Sequence, residues 1–217
     1  ARLHDLKAPL LLARTSADVR AGLPEPHVYT LLLSMPPWQR HLYSMIATAE
    51  AADGPAPFAR LQLLLQLCVH PWLLESSRSS LREIMWDLPN VWPVRPRQLL
   101  LVSPVTAAAV SILESAIGSG DKVVIVSQFV KALDLFMPYL KNQFGSASYV
   151  KVVGGVGLAA EHAVKKLNDP ASSTKVLLLS LACAAGLNLV GANHMILLDA
   201  HWNYKREEQA LGRLNRK

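Results

Sequence analysis

Three short runs in the second half of the chain, VVIV at 123–126, VLLL at 176–179 and MILL at 195–198, are apolar at every position rather than at every second one. A strand with one wet face alternates, whereas a strand that is apolar throughout must be covered on both sides. Around these runs lie segments of helical periodicity: TAAAVSILESAI, ending at Gly118 and Gly120, then VKALDLFMPYLKNQF, LAAEHAVKKL and a terminal stretch closing on EEQALGRLNRK. Strands of this kind alternating with helices predict an α/β fold, a parallel sheet covered by helices on both faces. SYVKVV reads as a further strand, and the stretch after KVLLLS as a loop.

The first half has a different rhythm. MPPWQRHLYSMIATAEAA starts on prolines and then sets Leu42, Met45 and Ile46 at helical spacing. After the turn DGPAP, the segment FARLQLLLQLCVHPWLL predicts an apolar helix stopping at His70, before Pro71. From Glu75 to Pro104, SSRSS and the prolines at 89, 93, 96 and 104 predict a loop-rich surface excursion, concentrated in residues 75–100. The chain therefore divides into a helical N-terminal segment, 1–100, and an α/β unit, 101–217.

Composition narrows the partners. An apolar share of 51% is ample for a packed core, and a formal charge of +6 favours an acidic partner, nucleic acid first. Two cysteines, Cys68 and Cys183, make neither a disulfide framework nor a zinc site, and point to a reducing compartment. No run approaches 18 uninterrupted apolar residues, so no membrane span is expected. The opening ARLHDLKAPLLLART lacks the order of a secretion signal and reads as the middle of a longer protein.

Parallel sheets bind ligands beyond the carboxyl ends of their strands. The residues there are Ser127 and Gln128, Gly154 and Gly155, Ser180 with the loop to Asn188, and His201, Trp202 and Asn203. Singly they have plain explanations: the serines could end strands, and Asn188 could hold a left-handed turn. Asn203 suits the N-cap of the last helix. On that helix Gln209, Arg213 and Arg216 stand at i, i+4 and i+7, one stripe of one face. Two guanidiniums facing one way repel unless an anion lies between them.

Three motifs are weaker. Gly155-Val-Gly157-Leu-Ala-Ala160 has the dinucleotide-binding outline, but the next strand ends in serine where a ribose-binding acid is wanted. MILLDA could end in a metal-binding aspartate, yet Asp199 is followed by Ala200, so a structural role is expected. GSGDK fails the spacing of a phosphate-cradling loop, and no other stretch supplies one.

Taken together, KVVIVSQF, SYVKVVGG, KVLLLSLACAAGLNLVGANHMILLDAHWN and QALGRLNRK resemble the second RecA-like lobe of SNF2-family DNA-dependent ATPases, nearest its transcription termination factor 2 (lodestar) and Rad54-like branches. LLLARTSADVRAGLP resembles the segment linking the family's lobes, and LLLSMPPWQRHLYSMI with LLQLCVHPWLL the helical opening of lobe two. The resemblance implies ATP in a cleft between two lobes, with the phosphate loop and the Mg2+-binding acids on lobe one. It implies that Gln209, Arg213 and Arg216 reach the γ-phosphate as catalytic and nucleotide-binding residues, beside Gly186 and Asn188, with no metal held by this chain. It further implies that Gln128, Gly154, Gly155, Ser180, Asn188, Trp202 and Asn203 face the backbone of double-stranded DNA or chromatin, in a nuclear translocase or remodeller.

The chain departs from the family pattern in places. SLACAAGLNL carries alanines where an Ala-Gly-Gly run is usual, Tyr204 replaces the proline after Trp-Asn, and the arginine expected a few residues after Gly154-Gly155 is absent, with Glu161 and His162 in that region. Two functional readings follow: a working motor, favoured because all three γ-phosphate residues are in register, or an ATPase-inactive DNA- or protein-binding scaffold. An RNA helicase lobe would share the arginine helix, but AHWN and CVHPWLL argue against it. A fused zinc ring is excluded between Glu75 and Pro104, which contains no cysteine.

Overall fold

The computed structural model describes residues 26–48, 57–75, 95–155 and 157–214. Two helices come first, α1 (Pro37–Thr48) and α2 (Pro57–Val69). With Leu74 just beyond them, they make a small core of their own from Leu42, Ile46, Leu63 and Leu67. Helix α2 stops where Pro71 removes a donor and disfavours helix at the residue before it. The carbonyls freed at its end are taken up by side chains from elsewhere in the chain. Buried Gln39 donates through Nε2 to the Leu67 carbonyl (2.7 Å), and Ser103 donates its hydroxyl to that of Val69 (2.6 Å).

His70 completes this junction. Its Nε2 lies 2.9 Å from the Leu99 carbonyl, and its Nδ1 accepts the Trp72 N–H at 3.1 Å. Burial favours the uncharged ring and pulls its pKa down to about 4.

The end of the expected surface excursion is not a loop. Residues 96–100 form a helix, α3 (Pro96–Leu100), and Leu100 is fully buried against the main core. Prolines spaced as in a loop here occupy helix starts: Pro96 opens α3 and Pro104 opens α4 (Pro104–Gly118), where a fixed φ costs nothing. Residues 76–94 lie outside the described residues.

Next come β1 (Val123–Ser127), α5 (Val130–Phe144), β2 (Tyr149–Val152), α6 (Leu158–Asn168), β3 (Val176–Ser180), β4 (His194–Leu197) and α7 (Tyr204–Leu214). The four strands form a parallel sheet in the order β2-β3-β1-β4. Central β1 and β3 are buried at every position, the arrangement their unbroken apolar runs predict. One face packs Val123, Ile125, Val176 and Leu178 under α3, α4 and α5, together with Val69 and Leu73. The other packs Val124, Val126, Leu177 and Leu179 under α6, α7 and the segment after β3. That segment, expected to be a loop, is a 3₁₀ helix (Leu181–Gly186) whose Cys183 and Ala184 are buried in the second core.

The run Val28 to Leu33 belongs to none of the cores formed by the described residues. It carries no regular secondary structure and is exposed, Leu32 to 95%. No helix of the described residues is long and apolar enough to cross a membrane.

Candidate functional site

At the carboxyl edge of the sheet, the ends of β1 and β4 are fastened by one carboxylate. Asp199 accepts the Ser127 hydroxyl through Oδ2 and the Gln128 N–H through Oδ1 at 3.1 Å, while Ser127 Oγ accepts the Phe129 N–H at 3.0 Å. Burial raises the Asp199 pKa, and the bonds from Ser127 and Gln128 oppose that shift. Gln128 reaches on with Nε2 to the Ala200 carbonyl (3.4 Å). The structural role expected of Asp199 is thus a bracket between two strand ends.

The following loop is anchored at its far end too. His201 N–H donates to the carboxylate of Glu207 in the first turn of α7, and His201 Nδ1 accepts the Asn203 N–H at 3.0 Å. Asn203 Oδ1 accepts the Lys205 N–H (3.1 Å), the N-cap bond its position predicts. Between these anchors Trp202 is 80% exposed, its ring tilted 31° to that of His201 with centroids 5.4 Å apart. An indole held this way in water is available to a partner.

Beyond β2, Gly154 and Gly155 adopt φ of +81° and +133°. A Cβ at either would meet open space, so glycine is required there by backbone conformation rather than by crowding. Gly155 N–H donates to buried Cys183 Sγ at 3.3 Å, tying this turn to the 3₁₀ helix. Ser180 is only 6% exposed, so its hydroxyl is not presented at the surface.

The remaining expected site residues lie elsewhere. Asn188 gives its carbonyl to Nδ2 of Asn168 at 2.9 Å, and Asn168 closes α6 at the opposite, amino edge of the sheet. Leu189 N–H donates to the Arg213 carbonyl at 3.0 Å, so the end of α7 stands beside this segment. Gly186, Asn188 and Arg213 therefore line the flank of the sheet rather than its carboxyl edge. Having passed through the 3₁₀ helix, the chain runs down that flank, which corrects the expectation that all strand-end residues share one edge.

On α7, Ala210 is fully buried and seats the helix, Gln209 is exposed and Arg213 half-buried. Among the described residues, no carboxylate pairs with the Arg213 guanidinium. Arg216 lies outside the described residues. Gly186 and Asn188 also border an open pocket of about 390 Å³ with Glu161, Val164 and Lys165. Among the described residues no three His, Cys, Asp or Glu side chains cluster to hold a metal.

The sequence marked the residues that face outward here and missed those that hold them. Glu207 stands out only as an acid in the first turn of a helix, a position favoured for its electrostatics alone. The reach of Asp199 back to β1 depends on strands 71 residues apart in sequence being neighbours.

A parallel four-stranded sheet covered by helices on both faces is compatible with a RecA-like lobe. Residues 107–217 match the family of the helicase conserved C-terminal domain, and the chain belongs to that family. It is 28% identical to the DNA repair and recombination protein RAD54 of Saccharomyces cerevisiae, over 98% of this chain and 25% of that protein. It is 26% identical to the protein CHROMATIN REMODELING 4 of Arabidopsis thaliana, over 99% of this chain and 10% of that protein. The chain thus spans a quarter or less of the length of these two relatives. Its fold is that of the Sulfolobus solfataricus SWI2/SNF2 ATPase C-terminal domain: TM-score 0.56, 22% identity, 79% of this chain and 71% of that one.

Proposed function

We propose that this chain is the second lobe of an SNF2-type, ATP-dependent DNA translocase or remodeller acting on double-stranded DNA or chromatin in the nucleus. Flank and edge divide the work. On the flank, Gln209, Arg213 and Arg216 would face the terminal phosphate of ATP across a cleft closed by lobe one, which holds the Mg2+. Donors aimed at charge developing on a transferring phosphoryl group stabilise the transition state, and an arginine finger is typically worth about 10³–10⁵ in rate. At the carboxyl edge, Gln128, Gly154, Gly155, Trp202 and Asn203 would line the DNA groove, with buried Ser180 supporting it from beneath, whereas Asn188, on the flank, would lie beside Arg213 and the nucleotide. Such contacts carry no sequence information, as a motor moving along any duplex requires.

The observation that carries this reading is the Arg213 guanidinium with no described carboxylate partner, on the helix that begins at the Trp202 loop. It fits an anion supplied from outside the lobe. A Sulfolobus solfataricus SWI2/SNF2 ATPase core in complex with dsDNA shares the fold at TM-score 0.55 and 22% identity, over 85% of this chain and 36% of that one. The test is ATP turnover by the intact protein, with and without duplex DNA. Arg213→Ala should abolish DNA-stimulated turnover and leave duplex affinity within about twofold. Wild-type protein without stimulated turnover would make the lobe an inactive DNA- or protein-binding scaffold. One observation favours that second reading: the edge residues named for DNA are all uncharged, although phosphate contacts draw most of their strength from Lys and Arg.

A further inference from the structure

The loop carrying Trp202 is tied down twice, and each tie is a carboxylate accepting a backbone N–H. Asp199 Oδ1 takes the Gln128 N–H (3.1 Å) at one end, and Glu207 takes the His201 N–H at the other. Neither bond is needed to cover a core: β1 and β4 already pair through their ladder, with Leu198 N–H donating to the Val126 carbonyl at 3.0 Å. Nor is Glu207 needed to cap α7, because Asn203 does so. What the two carboxylates add is a continuous connection from Gln128 through residues 199–203 to the first turn of α7. The same helix carries Gln209 and, in its last turn, Arg213, whose carbonyl accepts the Leu189 N–H on the flank.

We propose that Asp199 and Glu207 are positioning residues that lock the Trp202 loop to β1 and to α7, so that a duplex seated on Gln128 and Trp202 orients Gln209 and Arg213. Neither carboxylate touches substrate. Each fixes a segment that does, and together they make the groove and the nucleotide-facing helix one mechanical unit. This inference rests on the function proposed above, and it adds the residues through which DNA at the edge acts on turnover at the flank. Removing Glu207 lets α7 rotate about Ala210 independently of the loop. Removing Asp199 frees the loop from β1.

The measurement is the ratio of DNA-stimulated to basal ATP turnover in the intact protein, with duplex affinity measured in parallel. Glu207→Ala should lower the ratio about tenfold while basal turnover and duplex affinity stay within about twofold, and Glu207→Gln, which keeps an acceptor oxygen, should restore most of it. Asp199→Asn, retaining Oδ1 for the Gln128 N–H, should stay near wild type, whereas Asp199→Ala should lose stimulation and raise the DNA concentration for half-maximal turnover. If Asp199→Ala fails to fold, the Glu207 pair decides alone. A normal ratio in Glu207→Ala, or equal losses in Glu207→Ala and Glu207→Gln, overturns the proposal. Failure of the parent reading is separate: wild-type turnover would then show no stimulation by DNA at all.

Discussion

The two ends of the sheet are built to different rules. At the amino edge the groups around Lys122 and Gly191 are bonded within the lobe. Lys122, 7% exposed, donates through Nζ to the carbonyls of Leu167 and Asp169, both at 2.6 Å. Its own carbonyl accepts the N–H groups of Asn193 and His194. Gly191 fits so closely that a Cβ there would lie 2.4 Å from the Asn168 Cα. The carboxyl edge leaves its glycines in open space and holds an indole out in water. One end is specified by packing and the other by what it must remain free to meet, the division expected of a parallel sheet that binds at its strand ends.

The comparison can be broken most directly at Gly191. Gly191→Ala drives a methyl group into backbone, and a loss of about 3–5 kcal/mol is expected, at the extreme of single substitutions. A thermal unfolding midpoint within a degree of wild type would show that the amino edge is not the rigid end. His70 is expected to contribute almost as much through pH. Its folded pKa of about 4 lies below the ordinary 6.5, so between those values the unfolded chain binds more protons. Stability should be complete above pH 6.5 and fall by up to ~3 kcal/mol on acidification towards pH 4. His70→Gln should flatten that pH profile in denaturant titrations.

Lys122→Met keeps the aliphatic stem but removes the donor to two carbonyls. A cost of about 2–3 kcal/mol is expected from the denaturation midpoint, with little change in DNA affinity. Smallest in stability, and the sharpest contrast, is Trp202→Ala: less than ~0.5 kcal/mol of folding free energy, as for an exposed side chain, but a clear loss of duplex affinity. Equal effects on stability at Trp202 and Lys122 would erase the distinction between the edges.

Much of this architecture was legible because the relevant signals are local. Unbroken apolar runs require burial on both faces, so β1 and β3 could be placed from VVIV and VLLL alone. VKALDLFMPYLKNQF became α5 over its full length, interior Pro138 included. The errors arose where tertiary contacts overrode local signals. Prolines at 96 and 104 suit a loop or a helix start equally well, and the burial of Leu100 selected the helix. Likewise SLACAAG has no strong periodicity, and it coils because Cys183 and Ala184 find a core to enter. For the site, spacing on one helix paired Gln209 with Arg213, whereas the descent of Asn188 to the amino edge depends on its bond to Asn168, 20 residues away.

The exposed run from Val28 to Leu33 has a practical bearing on handling this polypeptide. Five of its six positions are apolar or aromatic, Leu32 at 95% exposure among them, and they make a tacky ribbon without regular secondary structure. Prepared alone, the 217-residue chain should therefore self-associate at high concentration, and replacing Leu31 and Leu32 by lysine should keep it dispersed without disturbing the sheet.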